Sequence, residues 1–286
     1  MLITRFAPSP TGYLHLGHAF SAWQAWGRAR AEKGRFLLRI EDTDLERCTP
    51  DYEAAIFEDL TWLGLEWELP VMRQSQQFDR YRTALATIRE KGLAYPCFCT
   101  RSEIRREIEQ AGGAPHGPPG DYGGPVYPGT CRRLADGLRQ ERLDRGDAHA
   151  WRLDVTAAAT RYGKLTWTDE KTGKIDADPM TFGDVVLTRK ETPTSYHLSV
   201  VVDDAYQDIT LVVRGSDLFT ATHTHRLLQA ILDLPTPTYH HHPLLLDDEG
   251  RRFAKRDKAL TLRALREAGH SPGDVIAMTS EYLQDA

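Results

Sequence analysis

The sequence predicts an α/β fold built around a parallel sheet, and three observations support that prediction. The chain has 286 residues, of which 41% are hydrophobic, so it can bury a sizeable core. An apolar run at Leu2–Phe6 is followed by two prolines, a glycine-bearing turn and a helical pattern. A second apolar run, "RFLLRIED" at 35–42, completes the strand–helix–strand order of a parallel crossover unit.

Helical patterns dominate the rest of the first half of the chain. The first helix is predicted over Gly17–Lys33, where apolar residues recur at helical spacing and Gly34 follows as a stop signal. Two further helical patterns cover Asp51–Leu63 and Phe78–Lys91. Residues 111–130 are mostly glycine, proline and small or aromatic residues, which predicts an irregular loop. A flexible linker is the alternative, and the cysteines on both sides argue against it.

Strand patterns are more frequent in the second half. Residues 149–155 and 181–190 predict strands of a β-rich insertion, and 196–215 predicts two more apolar strands. A helix is predicted over 220–234, and the tail at 251–269 predicts a loop that leads into a basic helix. A β-rich segment therefore interrupts the α/β pattern.

Composition and charge exclude several classes of protein. The formal net charge is −5, from 36 basic and 41 acidic residues, which argues against a general nucleic-acid coat but allows a local basic face. No run of about 18 apolar residues is present, so no membrane span is predicted. The N-terminal "MLITRFAPSP" lacks the pattern of a secretory signal, so we expect a cytoplasmic protein.

The turn after the first strand carries the motif "HLGH" at 15–18. Unpaired N–H groups at a helix N-terminus favour anions, and His15 and His18 can add hydrogen bonds to phosphate oxygens. Gly17 between them allows a ligand to approach the backbone closely. Taken alone, this pattern is more often a loop with two surface histidines. The preceding "APSPTG" and the strand–turn–helix context favour a nucleotide site instead.

The same stretch resembles a known signature. "APSPTGYLHLGHA" is similar to the HIGH motif of class I aminoacyl-tRNA synthetases, in the form typical of glutamyl-tRNA synthetases. Further similarity to that family lies at "RIEDTDLER" (39–47), "LGLEWE" (63–68), "VVDDAYQDITLVVRGSDL" (201–218) and "RRFAKRDKA" (251–259). The resemblance covers nearly the whole chain. It implies a Rossmann-type parallel-sheet domain that binds ATP and activates an amino acid.

The resemblance also implies a domain plan. Residues 1–94 and 191–286 would form the two halves of the catalytic domain, the second with terminal helices, and 95–190 a zinc-containing insertion. Because the chain ends soon after the loop that resembles the family's KMSKS motif, we expect no anticodon-binding domain. Together with "YPCFCTRSEI" and "PVYPGTC", this resembles short paralogues that attach glutamate to the queuosine base in the anticodon of tRNA(Asp).

Glutamate has two carboxylates and one ammonium, so its site needs cations and an anion. By position in the family's motifs, the resemblance implies that Arg5 and Arg214 take the carboxylates and Glu41 the ammonium. The complete set implied for glutamate is Arg5, Ala7, Ser9, Glu41, Tyr196 and Arg214. Without the resemblance, each charged member would be read as a surface ion pair.

Lys255 matches the second lysine of the KMSKS motif and is expected to contact the ATP phosphates. The match is imperfect, since "RFAKR" places Arg252 at the first lysine and Ala254 at a serine. The resemblance makes His15, His18 and Lys255 the catalytic residues. With Gly17 they would also bind ATP, whose phosphates would carry Mg²⁺.

Three cysteines suggest a metal site. Cys97 and Cys99 form a C-x-C pair, and Cys131 lies beyond the glycine- and proline-rich loop. The resemblance implies a structural zinc with Tyr127 as the fourth ligand, while His116 and Asp121 remain competitors for that position. A reduced buried thiol pair is the alternative interpretation. Cys48 stands apart and is read as an ordinary thiol.

Two other functions remain open from the sequence. One is a truncated glutamyl-tRNA synthetase that charges tRNA(Glu), which "RIEDTDLER" would also suit. The other is a non-catalytic module that binds glutamate or RNA, for which the altered "RFAKR" loop is the support and the intact "HLGH" the objection.

Overall fold

The computed structural model describes residues 1–110, 126–245 and 261–281. Its strands are β1 Ile3–Phe6, β2 Arg35–Ile40, β3 Glu68–Arg73, β4 Ala94–Cys97, β5 Ala150–Leu153, β6 Thr166–Asp169, β7 Gly173–Asp176, β8 Val186–Thr188, β9 Leu211–Gly215 and β10 Thr238–His242. Its helices are α1 Leu16–Ala31, α2 Pro50–Trp62, α3 Phe78–Glu90, α4 Arg101–Gln110, α5 Asp136–Asp144, α6 Val155–Tyr162, α7 Tyr196–Tyr206, α8 Ala221–Leu232, α9 Leu262–Glu267 and α10 Pro272–Glu281.

Most elements predicted from the sequence are confirmed. The helices expected at Gly17–Lys33, Asp51–Leu63, Phe78–Lys91 and 220–234 correspond to α1, α2, α3 and α8, with ends that differ by one or two residues. The strands at both ends of the first helix are β1 and β2. Most of the loop predicted at 111–130 lies outside the described residues.

One predicted strand is wrong. The pattern at 196–215 predicts two strands, but the chain forms helix α7 and then strand β9. Every residue from His197 to Asp204 is buried, because α7 packs against α3, α8 and β8. A helix covered on all sides loses its apolar–polar period, and a run of valines then resembles a strand.

Two parallel units make up the predicted sheet. Strands β1, β2 and β3 are parallel and hydrogen-bonded in that order, and β9, β10 and β6 form the second parallel set. The units meet between β1 and β9, where Thr210 N–H donates to Ile3 O at 3.0 Å. The strand order therefore reverses at this point, and the carboxyl ends of β1 and β9 border one crevice, the usual ligand position in such a sheet.

The stretch predicted as an insertion, 95–190, contributes to two sheets. Strands β4, β5 and β8 form a small antiparallel sheet of their own. The hairpin of β6 and β7 instead extends the parallel set, with Tyr239 of β10 paired to Asp169 of β6. Part of this stretch is therefore built into the parallel sheet, and Asp169 lies close to the residues at the end of β9.

The core beneath the crevice joins α1 to the C-terminal helices. Leu14 and Leu16 lie in one buried cluster with Leu245, Leu262 of α9 and Val275 of α10. Burial of each such side chain contributes about 1.5–3 kcal/mol. Residues on both sides of positions 246–260, which lie outside the described residues, are thus held against the start of α1. Among the helices that the structure describes, none has the length and apolar character needed to cross a membrane.

Candidate active site

The turn between β1 and α1 is closed by two histidines. His15 is the N-cap of α1, and its Nδ1 accepts a hydrogen bond from the Gly17 N–H at 3.2 Å. The His15 N–H in turn donates to Nδ1 of His18 at 3.2 Å. Because both Nδ1 atoms accept, the neutral rings carry their hydrogens on Nε2. A Cβ at Gly17 would lie 3.1 Å from Cε1 of His15, so the glycine leaves room for this ring.

The chain beyond residue 260 returns to this motif. Thr261 forms an isolated β-bridge with His15, and Leu262 N–H donates to Leu14 O at 2.8 Å. Lys255, Arg252 and Ala254 lie outside the described residues. Their predicted roles therefore depend on the sequence match.

The six residues predicted to bind glutamate lie together. They border a cavity of about 310 Å³ at the carboxyl ends of β1 and β9. The cavity also contacts His18 of the "HLGH" motif. The predicted glutamate residues that line it are Arg5, Ala7, Ser9, Glu41, Tyr196 and Arg214.

Neutral groups surround Arg214 at one end of this cavity. Its Nε–H donates to Nε2 of His241 at 3.1 Å, and Nη1 donates to Tyr196 Oη and to Nδ1 of His225, both at 3.2 Å. Nη2 donates to Leu218 O at 3.2 Å and to Oγ1 of Thr222 at 2.6 Å. Among the described residues, no carboxylate pairs with Arg214, so its charge is uncompensated there.

Arg5, the other predicted carboxylate ligand, has a different environment. Its Nε and Nη2 donate to the two carboxylate oxygens of Asp204 at 3.0 and 3.3 Å, and Nη1 donates to Val213 O at 3.2 Å. The guanidinium is only 5% exposed. A buried, bidentate ion pair of this kind fixes β1 to α7 and neutralises Arg5.

Asp204 belongs to a buried network that the sequence reasoning missed. Arg39, fully buried on β2, donates to Asp204 at 2.8 Å and to Glu41 at 3.3 Å. Asp203 accepts hydrogen bonds from Tyr81 and Gln74, both at 2.8 Å. The signal available in the sequence was the acidic pair "DD" directly after the apolar run "SVVV", since buried carboxylates need partners.

Burial raises the pKa values of the carboxyl groups in this network, whereas the neighbouring guanidiniums lower them. Burial raises the pKa of Glu41 above its ordinary value, and Arg39 and Arg5 offset only part of that effect. Burial would also raise the pKa of Asp204, but Arg5 and Arg39 outweigh it and hold that pKa below its ordinary value. The charge of Asp204 is thus already balanced within the network. The ionised form of Glu41 would be stabilised by a further cation. With Arg214, the cavity can bind a molecule bearing both carboxylate and ammonium.

The predicted metal ligands lie together in the insertion. The Sγ atoms of Cys97, Cys99 and Cys131 lie within 4.8 Å of one another, and Tyr127 Oη lies 3.4 Å from Cys97 Sγ and 3.5 Å from Cys99 Sγ. Three soft sulfur donors and one oxygen around a single point form a donor set that suits zinc. His116 and Asp121 lie outside the described residues. Cys48 does not belong to this cluster and lines two other cavities, one of which also borders Glu41 and Tyr196.

A larger groove of about 810 Å³ runs from the cysteine cluster to Tyr196, so Tyr196 borders both cavities. Arg152 lies 3.9 Å above the ring of Tyr127 and donates to Asp184 O at 2.7 Å. Basic residues outnumber acidic ones along this groove, and they are Arg101, Arg105, Arg152, Arg189 and Lys190. The groove therefore suits an anionic chain that reaches toward the smaller cavity.

The fold and this site define a class of protein. Residues 1–281 match the family model described as "tRNA synthetases class I (E and Q), catalytic domain". The chain belongs to this family, and it is an enzyme of the aminoacyl-tRNA synthetase type. The resemblance read from the motifs is confirmed.

Individual members of the family show which of its proteins this chain is similar to. The chain is 50% identical over 279 residues to a "Glutamyl-Q tRNA(Asp) synthetase" of Rhodobacter capsulatus, covering 96% of this chain and 98% of that protein. It is 40% identical to a "Glutamate--tRNA ligase" of Aquifex aeolicus, of which it covers 54%. A solved glutamate-tRNA synthetase from Elizabethkingia anophelis superposes with a TM-score of 0.81 at 27% identity, covering 97% of this chain and 61% of that one.

Proposed function

We propose that the protein activates L-glutamate with ATP and transfers it to the queuosine base in the anticodon of tRNA(Asp). The observation that carries the proposal is the cavity in which uncompensated Arg214 and buried Glu41 lie together beside a basic groove. The choice of acceptor is supported by relatives of nearly equal length that are named for that reaction. The reaction would take place in the cytoplasm, where ATP and tRNA are available.

Glutamate would bind with its ammonium at Glu41 and a carboxylate at Arg214. All five N–H groups of Arg214 donate within the protein, so the carboxylate would replace at least one of their acceptors. Both ions are partly withdrawn from water, which strengthens each interaction relative to bulk solvent. Tyr196, whose hydroxyl accepts from Arg214 Nη1, would close the cavity over the amino acid. Ala7 and Ser9 line the wall from the turn after β1. The second cation, Arg5, would act mainly by holding Asp204 and the carboxyl end of β1.

Activation joins the carboxylate to the nucleotide. An oxygen of the glutamate carboxylate attacks the α-phosphorus of ATP, the bond to the pyrophosphate oxygen breaks, and glutamyl-adenylate and pyrophosphate form. Nε2–H groups of His15 and His18 would donate to the phosphate oxygens as their charge grows, and Lys255 would add a positive charge. Mg²⁺ bound with ATP would neutralise part of the same charge. The protein needs no nucleophile of its own, because the chemistry depends on positioning.

Transfer then uses a hydroxyl of the acceptor. That oxygen attacks the glutamyl carbonyl carbon, AMP leaves with the bond electrons, and the acceptor proton passes to the departing phosphate. The groove that ends at Tyr196 would hold the acceptor nucleotide, with its phosphates on Arg101, Arg105 or Lys190. Stacked Arg152 and Tyr127 offer a flat surface to a base.

A zinc ion held by Cys97, Cys99, Cys131 and Tyr127 would have a structural role. The four residues connect the end of β4 to the segment around Cys131. Hydrogen bonds among the four already link these two parts of the chain. Zinc binding would cross-link these two parts of the chain beside the small sheet of β4, β5 and β8, and would thereby stabilise that sheet.

A second candidate function is charging of tRNA(Glu), favoured by the 40% identity to the Aquifex aeolicus ligase. The test is transfer of labelled glutamate to tRNA(Glu), to tRNA(Asp) bearing queuosine and to tRNA(Asp) bearing guanosine. The proposal expects label only on the queuosine-bearing tRNA. Label on tRNA(Glu) alone would favour the second candidate. Absence of glutamate-dependent pyrophosphate exchange would indicate a non-catalytic binding module.

A further inference from the structure

Two pairs of hydrogen-bonded side chains, each with a histidine against Arg214, contact different nitrogens of its guanidinium. One pair is Asp169 and His241, and the other is His197 and His225. The side chains that contact Arg214 from these pairs, His241 and His225, are 5% and 1% exposed. Nothing in the reaction described above uses these four residues directly. Their hydrogen bonds nevertheless determine which ring nitrogens of His225 and His241 accept from Arg214.

Asp169 determines the tautomer of His241. Its Oδ2 lies 2.8 Å from Nδ1 of His241 and also accepts the His241 backbone N–H at 3.1 Å. Its Oδ1 accepts N–H groups of Lys171 and Thr172 in the turn between β6 and β7. A carboxylate only accepts, so Nδ1 carries the ring hydrogen and Nε2 offers its lone pair to Arg214 Nε–H.

The tautomer of His225 follows in the same way. Arginine only donates, so Nδ1 of His225, 3.2 Å from Arg214 Nη1, must accept. The ring hydrogen then lies on Nε2, which donates to Nδ1 of His197 at 3.0 Å. Burial, together with the nearby charge of Arg214, lowers the pKa of both rings, that of His241 to about 4. Both rings are therefore neutral at physiological pH.

We propose that Asp169 and His197 are positioning residues, which orient the two neutral imidazoles so that Arg214 is held rigidly yet keeps its full charge for a substrate carboxylate. The inference rests on the proposed function and deepens it, because it assigns discrimination between glutamate and glutamine to this arrangement. A carboxylate in direct contact with Arg214 would hold it equally well but would cancel the charge, as Asp204 does at Arg5. An imidazole between the two transmits the orientation and keeps the negative charge of Asp169 away from the guanidinium.

The test is Asp169→Asn, which preserves shape. In the favoured orientation the amide oxygen stays on the Lys171 and Thr172 N–H groups. The NH₂ group then donates to Nδ1 of His241, and the His241 backbone N–H loses the acceptor that Oδ2 provided. The ring hydrogen then moves to Nε2 and faces Arg214 Nε–H, donor against donor. We expect the KM for glutamate to rise about 10- to 100-fold, as for loss of one hydrogen bond to a charged group. The KM for ATP and kcat should change little, and preference over glutamine should fall.

Two companion variants separate positioning from folding. His241→Gln retains an acceptor near the position of Nε2 and should recover much of the glutamate affinity, whereas His241→Leu should not. Asp176→Asn, on the exposed side of the same hairpin, is the matched control and should behave as the wild type. Equal KM values for the wild type and Asp169→Asn, or for His241→Gln and His241→Leu, would overturn the inference.

A direct readout is independent of activity. ¹⁵N spectra of histidine-labelled protein identify the protonated ring nitrogen, and the His241 signals are assigned by their loss in His241→Gln. We expect Nδ1–H in the wild type and Nε2–H in Asp169→Asn; Nε2–H in the wild type would overturn the inference even if a variant fails to fold. If the wild-type enzyme shows no glutamate-dependent pyrophosphate exchange, the proposed function fails, whatever the tautomer.

Discussion

The two sides of the cavity at the carboxyl ends of β1 and β9 hold their guanidiniums in opposite ways. On the β1 side, Arg5 and Arg39 share the carboxylate of Asp204, and the charges there are largely compensated within the protein. On the β9 side, Arg214 donates to imidazoles, hydroxyls and a carbonyl. We infer from the difference that an arginine lining a cavity need not have its charge available for a carboxylate. The groups of the protein that it pairs with determine whether its charge is available.

The largest effect is expected on the β1 side, where Asp204 compensates the charges of Arg5 and Arg39. Asp204→Asn keeps the shape of the side chain but leaves Arg5 and Arg39 without the charge they share. We expect the free energy of unfolding to fall by about 3–5 kcal/mol, as for other broken buried pairs. Urea denaturation would measure it. The control is Asp79→Asn, in a surface pair with an almost fully exposed carboxylate, which should cost less than about 1 kcal/mol.

The second largest effect is expected on the β9 side, at Arg214. Arg214→Lys replaces a planar five-donor group by a point charge, so the KM for glutamate should rise about 100-fold while the KM for ATP stays unchanged. Glutamate-dependent pyrophosphate exchange measures both constants. Arg35→Lys, in a half-exposed pair with Glu68, is the control. An unchanged KM for glutamate in Arg214→Lys would remove the distinction between the two sides.

A smaller, graded effect is expected from pH. Glu41 binds an ammonium only when ionised, and burial raises its pKa. Its carboxylate is therefore lost at a higher pH than usual on acidification, and the KM for glutamate should then rise by up to about tenfold per pH unit. Burial lowers the pKa values of His225 and His241, that of His241 to about 4. The profile should be absent in Glu41→Gln; a KM for wild type that falls on acidification would contradict the assignment.

The smallest effect on the cavity is expected from the cysteine cluster. Cys99→Ala should remove bound zinc and lower stability while leaving the KM for glutamate near that of the wild type, because Cys99 and Tyr127 of the cluster line the larger groove and not the smaller cavity. Elemental analysis of the purified protein and pyrophosphate exchange are the two measurements. Cys48→Ala should retain the metal. Wild-type protein without zinc would contradict the metal assignment.

Local sequence signals predicted much of this architecture. The run of strand, "HLGH" turn and helix depends on neighbouring residues, and the structure follows it closely. Helix α7 was missed because its burial comes from elements distant in sequence, which removed the amphipathic period. The thiols of Cys97, Cys99 and Cys131 lie together as the sequence predicted. Cys97 and Cys99 are close in sequence, so only one long-range contact, that with Cys131, is needed to complete the cluster.

The charge balance of the site required three-dimensional information. The sequence assigned Arg5 and Arg214 equal roles, because both end strands and both match motif positions. Only the distances from Asp204 to Arg5, and from His241 to Arg214, distinguish them. Asp169 lies in a hairpin within the predicted insertion, so no local pattern connects it with a residue at the end of β9.

The most direct test of this account is a crystal structure with L-glutamate bound. The account predicts a carboxylate of the ligand at about 2.7–3.2 Å from Arg214 and the ammonium at the same distance from Glu41. Arg5 should keep its two hydrogen bonds to Asp204. A ligand carboxylate on Arg5 with the five hydrogen bonds of Arg214 unchanged would contradict it.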